Sequence, residues 1–339
     1  MFAAKVILKD AEKVKTYLLK HTLLHPEYLL VKELGSLYFP LQKKAKVPHA
    51  TIVQPKFPFP ARPKTLSFEE AVKPLLTSPE FSLLPKSQEI VGKILILEIP
   101  FELQSKEKAI AEAYLRTHPQ IETVVKKEQL HEGTFRTRKV RILAGKMSKE
   151  TIHKESGINL KLHLERTYFS ARSANERLRL AKLIKKNEEI LVMFSGAGPY
   201  PLVLGRNSPA KKIVGIELNP WAHQFALENI ASNNLAGKVA VYEGDVRDLV
   251  PKMGIFDRII MPLPKTGEEF LSVALPKVKK KGFVHLYSFL QEDEFKSYGK
   301  KIKELCAKLK YPIQVKKIVK CGQFSPGVFR VCFDLQVGE

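Results

Sequence analysis

From residue 190 to residue 289, short apolar runs alternate with helical stretches, and this alternation restricts the chain more than any other feature. The runs fall at 190–194, 212–218, 239–243, 257–261 and 282–289. Strands separated by crossover helices form a parallel sheet with helices on both faces, because a parallel pair cannot be joined by a tight turn. A helix over 292–309 then precedes two further apolar runs, 314–321 and 328–335, joined by GQFSPG, which predicts a closing hairpin. The C-terminal half is therefore expected to be α/β and doubly wound.

Such sheets bind ligands beyond the carboxyl ends of their strands, where the strand order reverses. The first run leads from Phe194 into Ser195, Gly196, Ala197, Gly198 and Pro199, where missing side chains let backbone approach a ligand. The second ends in Glu217 and Leu218, about 20 residues on, where a carboxylate can accept both hydroxyls of a ribose. After the third, Asp245 can receive an adenine amino group while Val246 offers its N–H to the ring; an ordinary helix N-cap is the alternative for Asp245. The turn is GAGPYP rather than GxGxxG, so its pyrophosphate cradle is incomplete and a dinucleotide is disfavoured. Beyond the fourth run, Pro262, Leu263 and Pro264 expel the chain from the sheet beside the expected acceptor, or simply end the strand.

Upstream, residues 1–40 predict a small docking unit, with a helix over 11–21 and strands at 28–31 and 37–39. Residues 41–65 contain five prolines, six Lys or Arg and no acidic residue, which predicts an extended, exposed connector. Residues 66–166 carry strand-like runs at 93–99, 121–126 and 135–143, a helical stretch at 106–115, and strict alternation at 158, 160, 162 and 164, giving an α+β middle domain. Residues 167–339 are expected to form the C-terminal α/β domain.

The chain carries 57 Lys+Arg against 35 Asp+Glu, a net charge of +22, whose field favours a polyanion. Nucleic acid is the expected partner, with a lysine-rich solvated surface as the alternative. No apolar run approaches the ~18–20 residues that cross a bilayer, so a cytoplasmic protein without a membrane role is expected. Cys306, Cys321 and Cys332 lack the spacing of a zinc site and are odd in number, which suggests neither metal nor disulfide.

The stretches TYFSARSANERLR from Thr167, FSGAGPYP from Phe194, GIELNPWAHQFALENIASNN from Gly215, GDVRD from Gly244 and MPLPKT from Met261 resemble a known family, as does GTFRTRKVRILAG from Gly133. The family is that of the archaeal and eukaryotic class I tRNA (guanine-37-N1) methyltransferases, with the archaeal wyosine-pathway paralogues that methylate 4-demethylwyosine. The resemblance runs the length of the chain and implies a class I, Rossmann-like methyltransferase domain using S-adenosyl-L-methionine. It implies Glu176 as general base, Arg136 as the cation assisting the target base, and Tyr168 at the pocket on the tRNA or cofactor side. Arg138, Arg172, Pro262, Leu263 and Pro264 join Arg136 and Tyr168 on the substrate side. Read from the residues alone, Glu176 is a helical carboxylate paired with Arg172 or Arg179, and Arg136 or Arg138 touches phosphate.

Two positions depart from the family pattern. Val192 stands where an Asp often provides a partner for the methionine amino group, and Pro262 stands where an Asn often begins the loop after the fourth strand. The expected activity is methyl transfer to purine 37 of tRNA, at guanosine N1, at C7 of 4-demethylwyosine, or at both, by a monomer acting on tRNA-Phe or other tRNAs with guanosine 37. A non-catalytic tRNA-binding protein with a decayed cofactor fold is one alternative. An exocyclic-amino RNA methyltransferase is another, disfavoured by Leu263 and Lys265, where such enzymes carry proline and an aromatic residue.

Overall fold

The structure, a computed structural model, describes residues 1–62, 66–85, 88–128, 133 and 135–338. They form two compact units, Met1–Ser67 and Phe68–Glu339.

In the first unit, β1 (Ala3–Ile7), β2 (Val31–Glu33), β3 (Ser36–Pro40) and β4 (Thr51–Val53) make an antiparallel sheet in the order β2-β3-β1-β4. Helix α1 (Ala11–Lys20) buries Val14 and Leu18, one turn apart, in a core with Val6, Phe39 and Leu41. The stretch expected as an exposed connector behaves differently. Its Thr51–Val53 pairs with β1, its Val47 and Phe59 are buried, and Arg62 N–H bonds Glu27 O at 2.6 Å. Proline suits this path because it favours extended backbone, and the apolar residues between the prolines cover an edge of β1 that would otherwise lack backbone partners.

The second unit opens with two short helices, α2 (Phe68–Val72) and α3 (Ser78–Ser82), the latter closed by a Thr77/Glu80 capping box. Strands β5 (Glu89–Val91), β6 (Ile94–Leu97), β7 (Thr123–Lys127) and β8 (Val140–Gly145) form a sheet in chain order, in which only β6 and β7 run parallel. Their crossover is α4 (Glu107–Thr117), which buries Ile110, Ala111 and Tyr114 against Leu95, Leu97 and Val124. The strand expected over 135–143 begins later, because Phe135 and Arg136 lie in a turn where Arg136 adopts a left-handed φ of 48°.

A hairpin follows, β9 (Glu150–Glu155) with β10 (Ile158–His163). The sequence reading placed it in the middle domain; Ile158, Leu160, Leu162 and Leu164 share one core both with Val91, Ile94, Ile96 and Val125 of the middle sheet and with Ile190, Val192 and Leu204 of the C-terminal sheet region. Two asparagines of α7 (Pro220–Ser232) and its cap imitate a neighbouring strand. Asn229 exchanges hydrogen bonds with the backbone of Lys161 (2.7 and 3.0 Å), and Asn233 does the same with Asn159 (2.8 and 2.7 Å). Amides four residues apart on one helix face thus satisfy alternate residues of β10. Arg177 on α5 (Ala174–Leu183) holds β9 through a bidentate bond to Glu155 (2.6 and 2.5 Å).

The large sheet comprises β11 (Glu189–Met193), β12 (Lys212–Glu217), β13 (Val239–Glu243), β14 (Phe256–Met261), β15 (Val278–Gln291), β16 (Ile313–Ser325) and β17 (Val328–Val337). Its order is β13-β12-β11-β14-β15-β17-β16, parallel through β15 and antiparallel in the last two pairs. The expected doubly wound α/β sheet closed by a hairpin is therefore present, with its order reversing between β11 and β14. Besides α5 and α7, the layers contain α6 (Pro199–Asn207), α8 (Val246–Leu249), α9 (Leu271–Ala274) and α10 (Glu294–Lys308). Helix α6 is buried almost all round, whereas α10 buries one face, Tyr298, Gly299, Ile302 and Cys306, with Phe295 and Leu305 packed at its margin. Among the described residues no helix is long and apolar enough to cross a membrane.

Candidate active site

The carboxyl ends of β11 to β14 surround a cleft of about 390 Å³. β11 runs into a tight turn in which Phe194, Gly196 and Gly198 all take positive φ (59°, 59° and 89°). A non-glycine residue in that region is unusual and belongs where neighbouring structure enforces it. At Gly196 an added Cβ would make ordinary contacts with Tyr168 O at 3.7 Å and Pro199 at 3.9 Å, so it is the left-handed φ of 59°, not crowding, that favours glycine there. Gly198 is bare for a different reason. It is the N-cap of α6, and a Cβ there would come to 3.2 Å from Leu202, so the missing side chain serves packing. Ser195 Oγ is buried at the turn without a hydrogen-bond partner.

Glu217 ends β12 and faces this turn. Gly196 N–H donates to its Oε2 (2.6 Å) and Asn219 N–H to its Oε1 (2.8 Å). Burial raises its pKa against the pull of these N–H groups. Among the described residues no cation pairs with it, so each oxygen retains acceptor capacity toward the cleft. Asp245 is arranged differently. It caps α8 through Arg247 N–H (2.8 Å) and pairs with the Arg247 guanidinium, whose hydrogen bond holds its carboxyl below the ordinary range. Leu218, Val246, Pro262 and Leu263 complete the wall with Phe194 and Tyr168. The cap expected as the alternative for Asp245 is thus present, and the residue also lines the cleft.

Arg136 reaches this cleft from the middle sheet, with burial drawing its pKa down while the guanidinium stays charged. Arg138 does not. It is buried and forks onto Glu89 at 2.7 and 3.1 Å, which is a structural pair within the middle sheet. Arg172 is exposed and lines neither this cleft nor its neighbour.

A smaller recess continues from the glycine turn, lined by Ser195, Gly196 and Pro199 on one side and by Tyr168, Pro262, Pro264, Tyr200, Tyr287 and Arg330 on the others. Glu176 does not line it. Its carboxylate is buried one hydrogen bond behind the floor, where the Tyr287 hydroxyl donates to Oε1 at 2.5 Å and Arg179 donates to both oxygens (2.6 and 2.8 Å). Burial pushes the Tyr287 hydroxyl pKa well up, so this group stays protonated. Of the two pairings expected for Glu176, the structure has that with Arg179.

Sequence reading missed Tyr287, Arg330 and Asn219. Strand alternation assigns the first two to a face of the sheet, but no local motif marks them. Asn219 was visible as a cap candidate before Pro220, and its side chain does accept from Trp221 and Ala222 N–H while donating to Arg166 O at 2.8 Å.

The fit of these residues to a nucleoside sulfonium donor rests on the side-chain-free turn at Gly196, which lines the cleft, and on the Glu217 carboxylate, which has no cationic partner among the described residues. Known proteins resemble this chain along its length. A family model described as the TRM5/TYW2 methyltransferase domain matches residues 151–314, the TYW2 N-terminal domain matches 68–148, and the tRNA methyltransferase 5 N-terminal domain matches 3–48. The chain is 33% identical over 338 residues to the tRNA (guanine(37)-N(1))-methyltransferase Trm5b of Pyrococcus abyssi, covering 99% of this chain and 98% of that protein. The crystal structure of that Trm5b superposes with a TM-score of 0.73 at 32% identity over 100% of both chains. A tRNA(Phe) (4-demethylwyosine(37)-C(7)) aminocarboxypropyltransferase of Pyrococcus horikoshii is 32% identical over 75% of this chain and 90% of its own. With a relative of this identity aligned along nearly its whole length, the chain belongs to the TRM5/TYW2 methyltransferase family.

Proposed function

We propose that this protein is an S-adenosylmethionine-dependent tRNA methyltransferase that modifies purine 37, at N1 of guanosine, at C7 of 4-demethylwyosine, or at both. One observation carries the reading: at the switch point of the sheet, Glu217, a carboxylate with no cationic partner among the described residues, faces the glycine turn, while Arg136 and Tyr168 border the same cleft. Glu217 would take the ribose hydroxyls, and Asp245 and Val246 the adenine edge. The donor supplies an electrophilic methyl group.

Base 37 would be flipped into the recess beside Pro262 and Pro264. Guanine N1 holds a proton at neutral pH, so methylation there requires a base. The N1 proton would pass to Tyr287 Oη as the Tyr287 proton passes to Glu176 Oε1, which makes Glu176 the terminal acceptor and leaves no charge on the phenol. Arg136 would steady negative charge growing on O6. The first unit and the basic surface, with net charge +22, would grip tRNA through phosphate contacts. We assign the protein to the cytoplasm as a monomer acting on tRNA-Phe or other tRNAs with guanosine 37.

Incubation with labelled S-adenosylmethionine and tRNA transcripts carrying guanosine or adenosine at 37 tests this. Label on the guanosine transcript alone is expected, and equal labelling of both would contradict it.

A further inference from the structure

We propose that the tip of the β16–β17 hairpin stacks a nucleotide adjacent to purine 37, Phe324 facing its base and Arg330 the phosphate that joins it to purine 37. This contact surface rests on the functional reading above. β14 and β15 run parallel, and β17 begins beside the carboxyl end of β15, with Val328 opposite Gln291, so the tip stands on the cleft side of the sheet. Tyr287, which lines the recess, and Phe289 lie two residues apart on β15 and share a face, and Arg330 stands opposite Phe289 on β17. Phe324 reaches this face from β16, across the intervening β17, and its ring stacks on that of Phe289 with centres 3.9 Å apart and planes at 25°. The register of β16 shifts between Lys320 and Gln323 and again between Gln323 and Ser325, irregularities of the kind that re-aim a side chain.

A single exposed phenylalanine is ordinary on a protein surface. Phe324 differs in its surroundings. It remains 51% exposed although its ring is stacked on Phe289. The Arg330 guanidinium carbon lies 5.9 Å from the centre of the Phe289 ring, and among the described residues this half-buried cation bonds neutral groups, the Ser173 hydroxyl and the Tyr168 hydroxyl at 3.5 Å. Lys320 of the same hairpin is already paired, with Glu292 at 2.7 Å. Arg330 also lines the recess assigned to purine 37, whereas neither phenylalanine does, so a strand leaving that recess meets first the cation and then the ring. Flipping a base leaves its neighbours without a stacking partner, and an aromatic ring restores one to either of them because every base has a π-face. A guanidinium without a counter-charge beside the ring suits the linking phosphate, and favours a nucleotide over an apolar protein segment.

The test pairs variants of the full-length protein with guanosine-37 tRNA that is intact, abasic at 36 or abasic at 38. Phe324→Ala is expected to weaken binding of intact tRNA about 10-fold at unchanged S-adenosylhomocysteine affinity, while Phe324→Tyr binds as wild type and Phe324→Leu rescues little. The loss should vanish with the tRNA abasic at the stacked position and persist with the other, which identifies the nucleotide. Arg330→Gln should reduce the slope of log affinity against log salt by roughly 0.7–1. Full rescue by Phe324→Leu, a loss that persists with both abasic tRNAs, or an unchanged salt slope would overturn the platform. So would wild-type tRNA affinity in Phe324→Ala, the result expected if the ring meets a protein instead. If wild type neither binds nor methylates guanosine-37 tRNA, the functional reading fails and the platform falls with it; if wild type methylates position 37 and Phe324→Ala matches it, the platform alone fails.

Discussion

The large sheet carries two polar regions that differ in how far the protein completes them. At the ends of β11 and β12, the Glu217 carboxylate meets two backbone N–H groups and, among the described residues, no cation, and it lines a cleft. Against β15 and β17, Glu176, Arg179, Asp334, His285, Arg258 and Glu188 form a largely buried chain in which Arg179 bridges Glu176 and Asp334 and Arg258 pairs with Glu188. Arg258 can only donate to His285 Nε2 (2.6 Å), so Nδ1–H must donate to Asp334 (2.6 Å), and burial keeps the imidazole neutral by lowering its pKa. Ligand atoms of His285, Cys332 and Asp334 lie within 4.8 Å of one another, as in a metal site, but Arg258 and Arg179 already occupy them. Polar groups completed internally hold the fold; the Glu217 carboxylate at the strand end keeps acceptor capacity toward the cleft. Glu176 joins the two regions, since Tyr287 connects it to the recess.

The contrast breaks most visibly at Arg179. Arg179→Ala leaves Glu176 and Asp334 buried without a cation and should cost about 3–5 kcal/mol of stability in urea unfolding. A loss under ~1 kcal/mol would mean that the network is not closed. Glu217→Ala should have the opposite signature. Donor affinity should fall about 100-fold by calorimetry, from two lost charge-assisted hydrogen bonds of about 1.5 kcal/mol each, while the urea midpoint moves far less than with Arg179→Ala.

At the junction, Tyr287→Phe should slow single-turnover methyl transfer to guanosine 37 by about 100-fold with donor affinity unchanged. An unchanged rate would dismiss the relay. The smallest effect concerns His285. Its folded pKa is depressed by burial, whereas the unfolded imidazole takes up a proton near pH 6.5, so below that pH the unfolded state binds more protons. The stabilisation is fully present above about pH 6.5 and is lost as pH falls toward the folded value. His285→Asn should therefore shallow the fall of the thermal midpoint between pH 7 and pH 5.5, and an identical slope would contradict the neutral buried assignment.

The sequence revealed the parallel sheet and its ligand turn because both are local: strand alternation, a glycine turn and an acidic strand end are each written in consecutive residues. Helix α6 is the crossover that the alternation implied between the first two strands, and Pro199 fits its first turn. The sequence concealed what depends on distant partners. β9 lacked a clean apolar alternation, since Thr151 and Ile152 are followed by His153 and Lys154, and its pairing comes from β10. Arg138 resembled Arg136 in sequence, and only the bond to Glu89 across the middle sheet separates them. Tyr287 and Arg330 belong to the site through strand order, a long-range property that a motif cannot carry.

Nucleoside mass spectrometry of tRNA after incubation tests the central claim most directly. Guanosine-37 tRNA and 4-demethylwyosine-37 tRNA are offered in parallel with S-adenosylmethionine, and each product nucleoside is located by sequence position. The assignment predicts a single added methyl on the base at position 37 of at least one of the two. An added aminocarboxypropyl group, or methyl elsewhere in the tRNA with position 37 untouched, would contradict it.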